Sequence, residues 1–258
     1  MRSSIISRSL ITLATVVLLT VSLVTLWNRY TPRVAAQGPL SCVTPPSGMV
    51  SWWPGDGNAD DIQGGNHGTL MNGATFATGK VGQAFSLDGV DDYVTVPNDP
   101  SLNPNTMTVM AWYRPTSFAG NGNNAIVQKV YVAHSPPYYQ YHLGVSGDQY
   151  PYAPGAGFGF AVAAGGIYDG VGTGPGFWSP GRWYHLVGTY DGTAIKLYVD
   201  GTLIGSRAAS GAVADYGSPL LIGGFANRNS PSIDFTPGMI DEVAIFDRAL
   251  SASEIQAI

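Results

Sequence analysis

Two Asp-Gly pairs, Asp191-Gly192 and Asp200-Gly201, each separate runs in which apolar residues recur at every second position. An Asp-Gly pair between such runs signals a hairpin, because a two-residue type I′ turn needs positive φ at both central positions. Trp183 to Tyr190, Ile195 to Val199 and Leu203-Ile204 are therefore predicted as consecutive antiparallel strands. The same period of two runs through the chain from Met49 onward. Thr106 to Tyr113 puts Met107, Val109, Ala111 and Tyr113 on one side, with Trp112 and Arg114 on the other. Tyr139, Tyr141, Leu143 and Val145 share one face of a further strand. Phe85 to Leu87, Tyr93 to Val96, Ala125 to Tyr131, Phe158 to Ala164, Leu220 to Phe225 and Met239 to Phe246 read as strands as well. A short helix closes the chain: Ser251 is its N-cap, Glu254 completes a capping box, and Ile255 faces inward. No helical pattern is long enough for a βαβ crossover. The expectation is an all-β, two-sheet antiparallel β-sandwich with a short C-terminal helix. Val50 to Pro54 is expected to lie near Met239 to Phe246.

Composition agrees. Charged residues are 11% of the 258, and 34 glycines and 18 prolines supply turn positions. So little charge does not suit a helix bundle, whose outer faces must be polar. A hydrophobic content of 45% does not suit a disordered chain. A net charge of −5 offers no footprint for nucleic acid.

The N-terminal part differs from the rest. Arg2 and Arg8 precede an uncharged apolar stretch, Leu10 to Trp27, and Val34-Ala35-Ala36 fits a small-residue cleavage site. The stretch is also long enough to span a bilayer. Residues 1–36 are read as a signal peptide or a membrane anchor. Both readings export the body to the cell surface or beyond, with membrane contact only through this segment if it stays uncleaved. Residues 37–48, with Pro39, Pro45 and Pro46, read as a linker, and 49–258 as one domain. Cys42 is the sole cysteine, so the chain has no internal disulfide.

Four stretches carry a family resemblance: VSWWPGDGNADDIQGGNHGTL (Val50 to Leu70), GKVGQAFSLDGVDDYVTVP (Gly79 to Pro97), RWYHLVGTYDGTAIKLYVDGTLIG (Arg182 to Gly205) and GMIDEVAIFDRALSASEI (Gly238 to Ile255). In this order the chain resembles the concanavalin A-like lectin/glucanase superfamily, in its laminin-G-like, pentraxin-related jelly-roll branch. The resemblance implies one concave and one convex sheet, with sugar or protein ligands bound on the concave face or its rim loops in many relatives. It also implies calcium, which in relatives joins the N-terminal segment to the last strand through an acidic residue near each end plus a backbone carbonyl. By that resemblance Asp56 and Asp241 are the candidate ligands, with Asp61 or Asp88 as helpers.

The residues alone leave the metal open. Asp56, Asn58 and Asp60 alternate in a Gly-containing loop, a pattern that can converge on a hard cation. Position six is Asp61 and position twelve His67, so this is no EF-hand. Asp88, Asp91 and Asp92 form a second cluster. The same side chains also make turns by bonding their own backbone.

Catalysis is not expected. Glycosidases need two carboxyls flanking the bond, and only two glutamates exist, Glu242 and Glu254. No Glu-x-Asp-x-Glu strand is present, and Asp241 and Glu242, adjacent on a strand, are expected on opposite faces. His185 reads as a structural strand residue, while His134 and His142 read as solvated positions beside a tyrosine cluster. No nucleophile elbow or zinc spacing occurs. Ligand contact is instead assigned to the Gly- and Pro-rich aromatic region from Tyr131 to Trp178, with Tyr150, Tyr152, Tyr168 and Trp178 as the contact residues. Trp178 is placed outside the core, whereas Trp52, Trp53, Trp112 and Trp183 read as core. The expectation is an exported, non-catalytic, lectin-like carbohydrate-binding module stabilised by calcium. The alternatives are a protein-binding or adhesion module of a cell-surface assembly, or an accessory part of a larger enzyme.

Overall fold

Period-2 alternation folds as read, except that the strand expected over Leu220 to Phe225 is two, in different sheets, broken at Gly223 with φ +77°. A computed structural model describes residues 44–117, 124–130, 139–146, 157–213, 215–226 and 233–258. Residues 1–36, Cys42, His134, Tyr150 and Tyr152 lie outside the described residues. The strands are β1 (Met49–Trp53), β2 (Thr69–Met71), β3 (Thr75–Thr78), β4 (Gln83–Leu87), β5 (Tyr93–Val96), β6 (Met107–Pro115), β7 (Asn124–Val130), β8 (Tyr139–Ser146), β9 (Gly157–Ala164), β10 (Ile167–Gly172), β11 (Tyr184–Tyr190), β12 (Ala194–Val199), β13 (Thr202–Ala208), β14 (Leu220–Ile222), β15 (Gly224–Ala226), β16 (Ile233–Phe235) and β17 (Gly238–Phe246). Helix α1 (Ala252–Ala257) follows, with Ser251 and Glu254 forming the expected capping box and Ile255 buried.

One antiparallel sheet runs β13-β12-β11-β6-β17-β4-β3, with β1 also on β17; the other runs β10-β9-β8-β7-β14-β5-β2. β15 and β16 pair separately. Although only a turn separates β4 from β5, they belong to opposite sheets, so the chain crosses the sandwich there. Alternation decides the core. Met107, Val109, Ala111 and Tyr113 of β6 face Tyr141, Leu143 and Val145 of β8, while Trp53, Phe85, Phe158, Phe160 and Ile245 fill the space between. Gly188 on β11 lets the Phe160 ring lie on the backbone: a Cβ there would stand 2.0 Å from the ring. The outer face of the larger sheet has its own apolar layer of Met110, Val187, Tyr198, Ala244 and Phe246, covered by Leu250 and Ile255 around α1.

The first described strand, β1, pairs with the last, β17. Its first residues, Gly238 to Ile240, pair β4 on one side. Its later residues pair β1, Val243 with Trp53 through Phe246 with Met49. Asp241 and Glu242 fall where β17 changes partner. There the ladder with β6 is interrupted between Asp241 and Ala244, and Glu242 has φ +53°. One extra residue is accommodated as a bulge.

Candidate functional site

The bulge overturns one expectation. In a regular strand Ile240 and Glu242 would share a face, as would Asp241 and Val243. Instead Ile240 and Val243 both enter the core, leaving Asp241 and Glu242 together on the outer side. Asp241 stands opposite Trp112 in the β6 register.

Asp241 is fully buried. Its Oδ2 accepts the backbone N–H groups of Lys80 (2.7 Å) and Val81 (3.0 Å). Among the described residues its buried Oδ1 has no hydrogen-bond partner. Asp56 reaches the same β3–β4 turn from the other end of the chain, accepting Gln83 N–H at 2.7 Å. The turn has glycines where the carboxylates approach. A Cβ at Gly79 would lie 2.5 Å from Asp241 Oδ2, and one at Gly82 would lie 2.2 Å from Asp56 Oδ1. Burial raises the Asp241 pKa, the N–H groups of Val81, Lys80 and Glu242 oppose that, and the Asp56 charge raises it further. Burial also pushes Glu242 up to about 7, against the hydrogen bond from Trp52, with Asp241 and Asp56 adding repulsion. Asp241 and Asp56 bring to one backbone turn oxygen donors of the kind a hard cation takes, while the carboxylates whose oxygens lie within 4.8 Å of one another are those of Asp88, Asp91 and Asp92.

The two helpers are engaged elsewhere. Asp61 accepts from Trp52 N, Gln63 N and Gly64 N on Oδ1 and from Asn66 N on Oδ2, at 2.8–3.0 Å. Burial would raise its pKa, but these four donors outweigh it and hold the carboxyl low. It organises the 61–66 loop. Asp88 caps the turn at Val90 (2.7 Å) and clusters with Asp91 and Asp92, away from Asp56 and Asp241 in its contacts. Asp92 ties that turn to Gly73.

Of the four expected ligand residues only Tyr168 and Trp178 are among the described residues. Tyr168 is half-buried on β10 opposite Ala163, its ring 5.3 Å from that of Tyr139. Phe177, next to Trp178, contacts Phe158 at the far end of the same ladder. Trp178 is half-buried, packed against the core from outside it. His142 is buried rather than solvated, and burial brings its pKa down to about 3. His185 is structural as expected: it stacks on Trp112 at 4.9 Å, and burial brings it down to about 4.

Three of the four tryptophans read as core, Trp52, Trp112 and Trp183, are half-buried. Trp53 is fully buried, but Trp52 and Trp112 are half-buried on the outer face of the larger sheet. Trp52 Nε1 donates to Glu242 Oε2 at 2.5 Å. Lys80 Nζ lies 4.5 Å from the centre of the Trp112 ring. Trp52, Trp112 and Glu242 line a cleft of about 300 Å³ between Pro45-Pro46 and the end of α1. The sequence holds a signal for it: adjacent Trp52 and Trp53 on a strand must point to opposite faces.

Comparison with known proteins places the chain. A family model of the concanavalin A-like lectin/glucanases superfamily matches residues 88–256. The chain belongs to that superfamily. No curated protein matches it. Among solved structures it resembles domain 4 of AbnA, a GH43 extracellular arabinanase from Geobacillus stearothermophilus, in complex with arabinotriose: TM-score 0.61, 20% identity, 81% of this chain and 96% of that one. It also resembles the binding domain of Paraclostridial Mosquitocidal Protein 1 (TM-score 0.59, 14% identity, 81% and 51%). A third is the receptor binding domain of Botulinum Neurotoxin Type G (TM-score 0.56, 12% identity, 81% and 50%). The chain spans about half of the two toxin domains. These likenesses show the shared jelly-roll fold.

Proposed function

We propose that the chain is an exported, non-catalytic carbohydrate-binding module whose two ends are clamped by calcium. The observation that carries the reading is the surface of the sandwich: aromatic side chains half-buried on strands, Trp52, Trp112 and Tyr168, in a chain with few charges. Such rings offer an apolar face to sugar C–H groups and a polar edge to hydroxyls. The arabinotriose complex of the AbnA domain, which shares the fold over 96% of its length, supports the ligand class. That domain belongs to a larger arabinanase, which also suits the accessory-module reading. The receptor-binding toxin domains favour a second reading, attachment to a cell-surface molecule.

Calcium would be held by Asp241 Oδ1 and Asp56, with a carbonyl of the β3–β4 turn. Its chemistry there is electrostatic: it neutralises the two carboxylates and ties the β1 end to β17. A glycan array probed in calcium tests the binding. Saccharide-selective signal is expected; none on a broad array, together with binding to cell-surface proteins, overturns the carbohydrate reading in favour of adhesion.

A further inference from the structure

The cleft between Pro46, Trp52, Val81, Trp112, Glu242 and Ile258 lies outside the main core and shares Met110 and Ala244 with the apolar layer on the outer face. Its volume of about 300 Å³ sits at the small end of ligand pockets, about 300–1,000 Å³. That is room for one or two rings, not for the run of a polymer.

Charge narrows the occupant. Among the described residues Glu242 is the one acidic side chain in the wall and no basic side chain lines it, so an anionic ligand would meet a carboxyl with no cation to pair with. A cation is disfavoured from the other side, because the Lys80 ammonium already lies over Trp112. The ligand should therefore be neutral. A purely apolar one would strip water from the Glu242 carboxyl and return no hydrogen bond, which is costly. Only Oε2 takes the Trp52 indole N–H, so the carboxyl has capacity left for hydroxyls. The tryptophans supply the apolar wall. Trp112 is braced by His185 stacked on it at 4.9 Å, and Trp52 by its bond to Glu242. Both rings are thus held before a ligand arrives, which cuts the ordering cost of binding.

We propose that this cleft binds the terminal one or two residues of a neutral glycan, with Trp52 and Trp112 against the ring and Glu242 hydrogen-bonded to its hydroxyls. The inference rests on the carbohydrate reading and names the site and ligand class for it.

The test is a titration of the protein with arabinotriose, cellobiose, lactose and maltose, read by tryptophan fluorescence and saturation-transfer NMR. Choline and hexanol serve as cationic and apolar probes. At least one saccharide is expected to saturate the signal. Trp112→Ala should weaken it about tenfold or more, since stacking and area are both lost, and Glu242→Gln about three- to tenfold. Glu242→Gln keeps the side-chain shape and an acceptor for Trp52, so it carries the test if Trp112→Ala does not fold. Saccharide binding unchanged in Glu242→Gln and in any folded Trp112→Ala, or lost only in Trp178→Ala, overturns the cleft while the carbohydrate reading stands. Tighter binding of choline or hexanol than of every saccharide overturns the assigned occupant. If a broad glycan array is also blank, the carbohydrate reading falls and takes this inference with it.

Discussion

Asp241→Asn should change sign with calcium. Asparagine keeps an oxygen for the Lys80 and Val81 N–H groups and puts an NH₂ where Oδ1 lies buried without a partner among the described residues. Without calcium it removes a charge that burial and Asp56 both disfavour, so the variant should melt at or above the wild type in chelator. With calcium the wild type gains the clamp and the variant does not. A ligand bound only to the native state at 100 times its Kd contributes about 2.7 kcal/mol. For a domain of this size, about 2–4 °C per kcal/mol, the wild-type midpoint should rise by roughly 5 to 11 °C from chelator to saturating calcium. The two melting curves should therefore exchange order. Asp56→Asn should lose the calcium response too, with less gain in chelator because Asp56 is exposed. Asp61→Asn should lower the midpoint equally in both conditions, since its four backbone donors serve the loop whatever the metal. A wild type indifferent to chelator, or an Asp241→Asn variant that keeps the full shift, would refute the clamp.

Gly188→Ala should destabilise by about 3 kcal/mol, the upper range for overpacking, because its Cβ would meet the buried Phe160 ring at 2.0 Å. Combined with Phe160→Leu it should cost less than the sum of the two, and additive melting midpoints would count against this contact. In chelator, stability should fall between pH 6 and 5. His142 and His185, held near 3 and 4 by burial, stay neutral when folded but take protons when unfolded. Each therefore loses stability as pH drops below about 6.5, at about 1.4 kcal/mol per unit. Glu242, raised to about 7, works the other way, because the folded protein holds its proton first. The net slope is about one histidine's worth. Denaturant melts across this range should show it nearly flat in His185→Gln and about doubled in Glu242→Gln; unchanged slopes in both would remove the linkage.

Where alternation is strict, the sequence was enough. Each inward residue read from β6 is in the core. The turn at Asp200-Gly201 has both residues at positive φ, 49° and 74°, as a type I′ hairpin requires. The Asp191-Gly192 turn departs from that rule. Only Gly192 is at positive φ, because the Asp191 carboxylate takes Thr193 N–H, Thr193 Oγ1–H and Ala194 N–H at 2.7–2.9 Å and builds a different loop. Side-chain capture of the backbone outweighs the dipeptide preference there.

The site failed to show for a related reason. A bulge shifts every later residue to the other face, so reading Asp241 and Glu242 by strict alternation separated two carboxylates that lie together. The residues did hold the warning. Ile240, Val243 and Ile245 are all apolar, and the first spacing is three, not two. An odd spacing between core residues of one strand requires an inserted residue. The insertion falls where β17 leaves β4 for β1, a long-range change of partner that the odd spacing does not itself explain. At that junction the residue that breaks the ladder is freed from pairing and turned outward to Trp52. The clamp carboxylate and the cleft carboxyl are thus neighbours in sequence with separate partners, one on the β3–β4 turn and one on an indole. Asp241→Asn and Glu242→Gln should accordingly divide the phenotypes, the first abolishing the calcium shift and the second weakening saccharide binding. If either variant abolished both, the two carboxyls would be acting as one site.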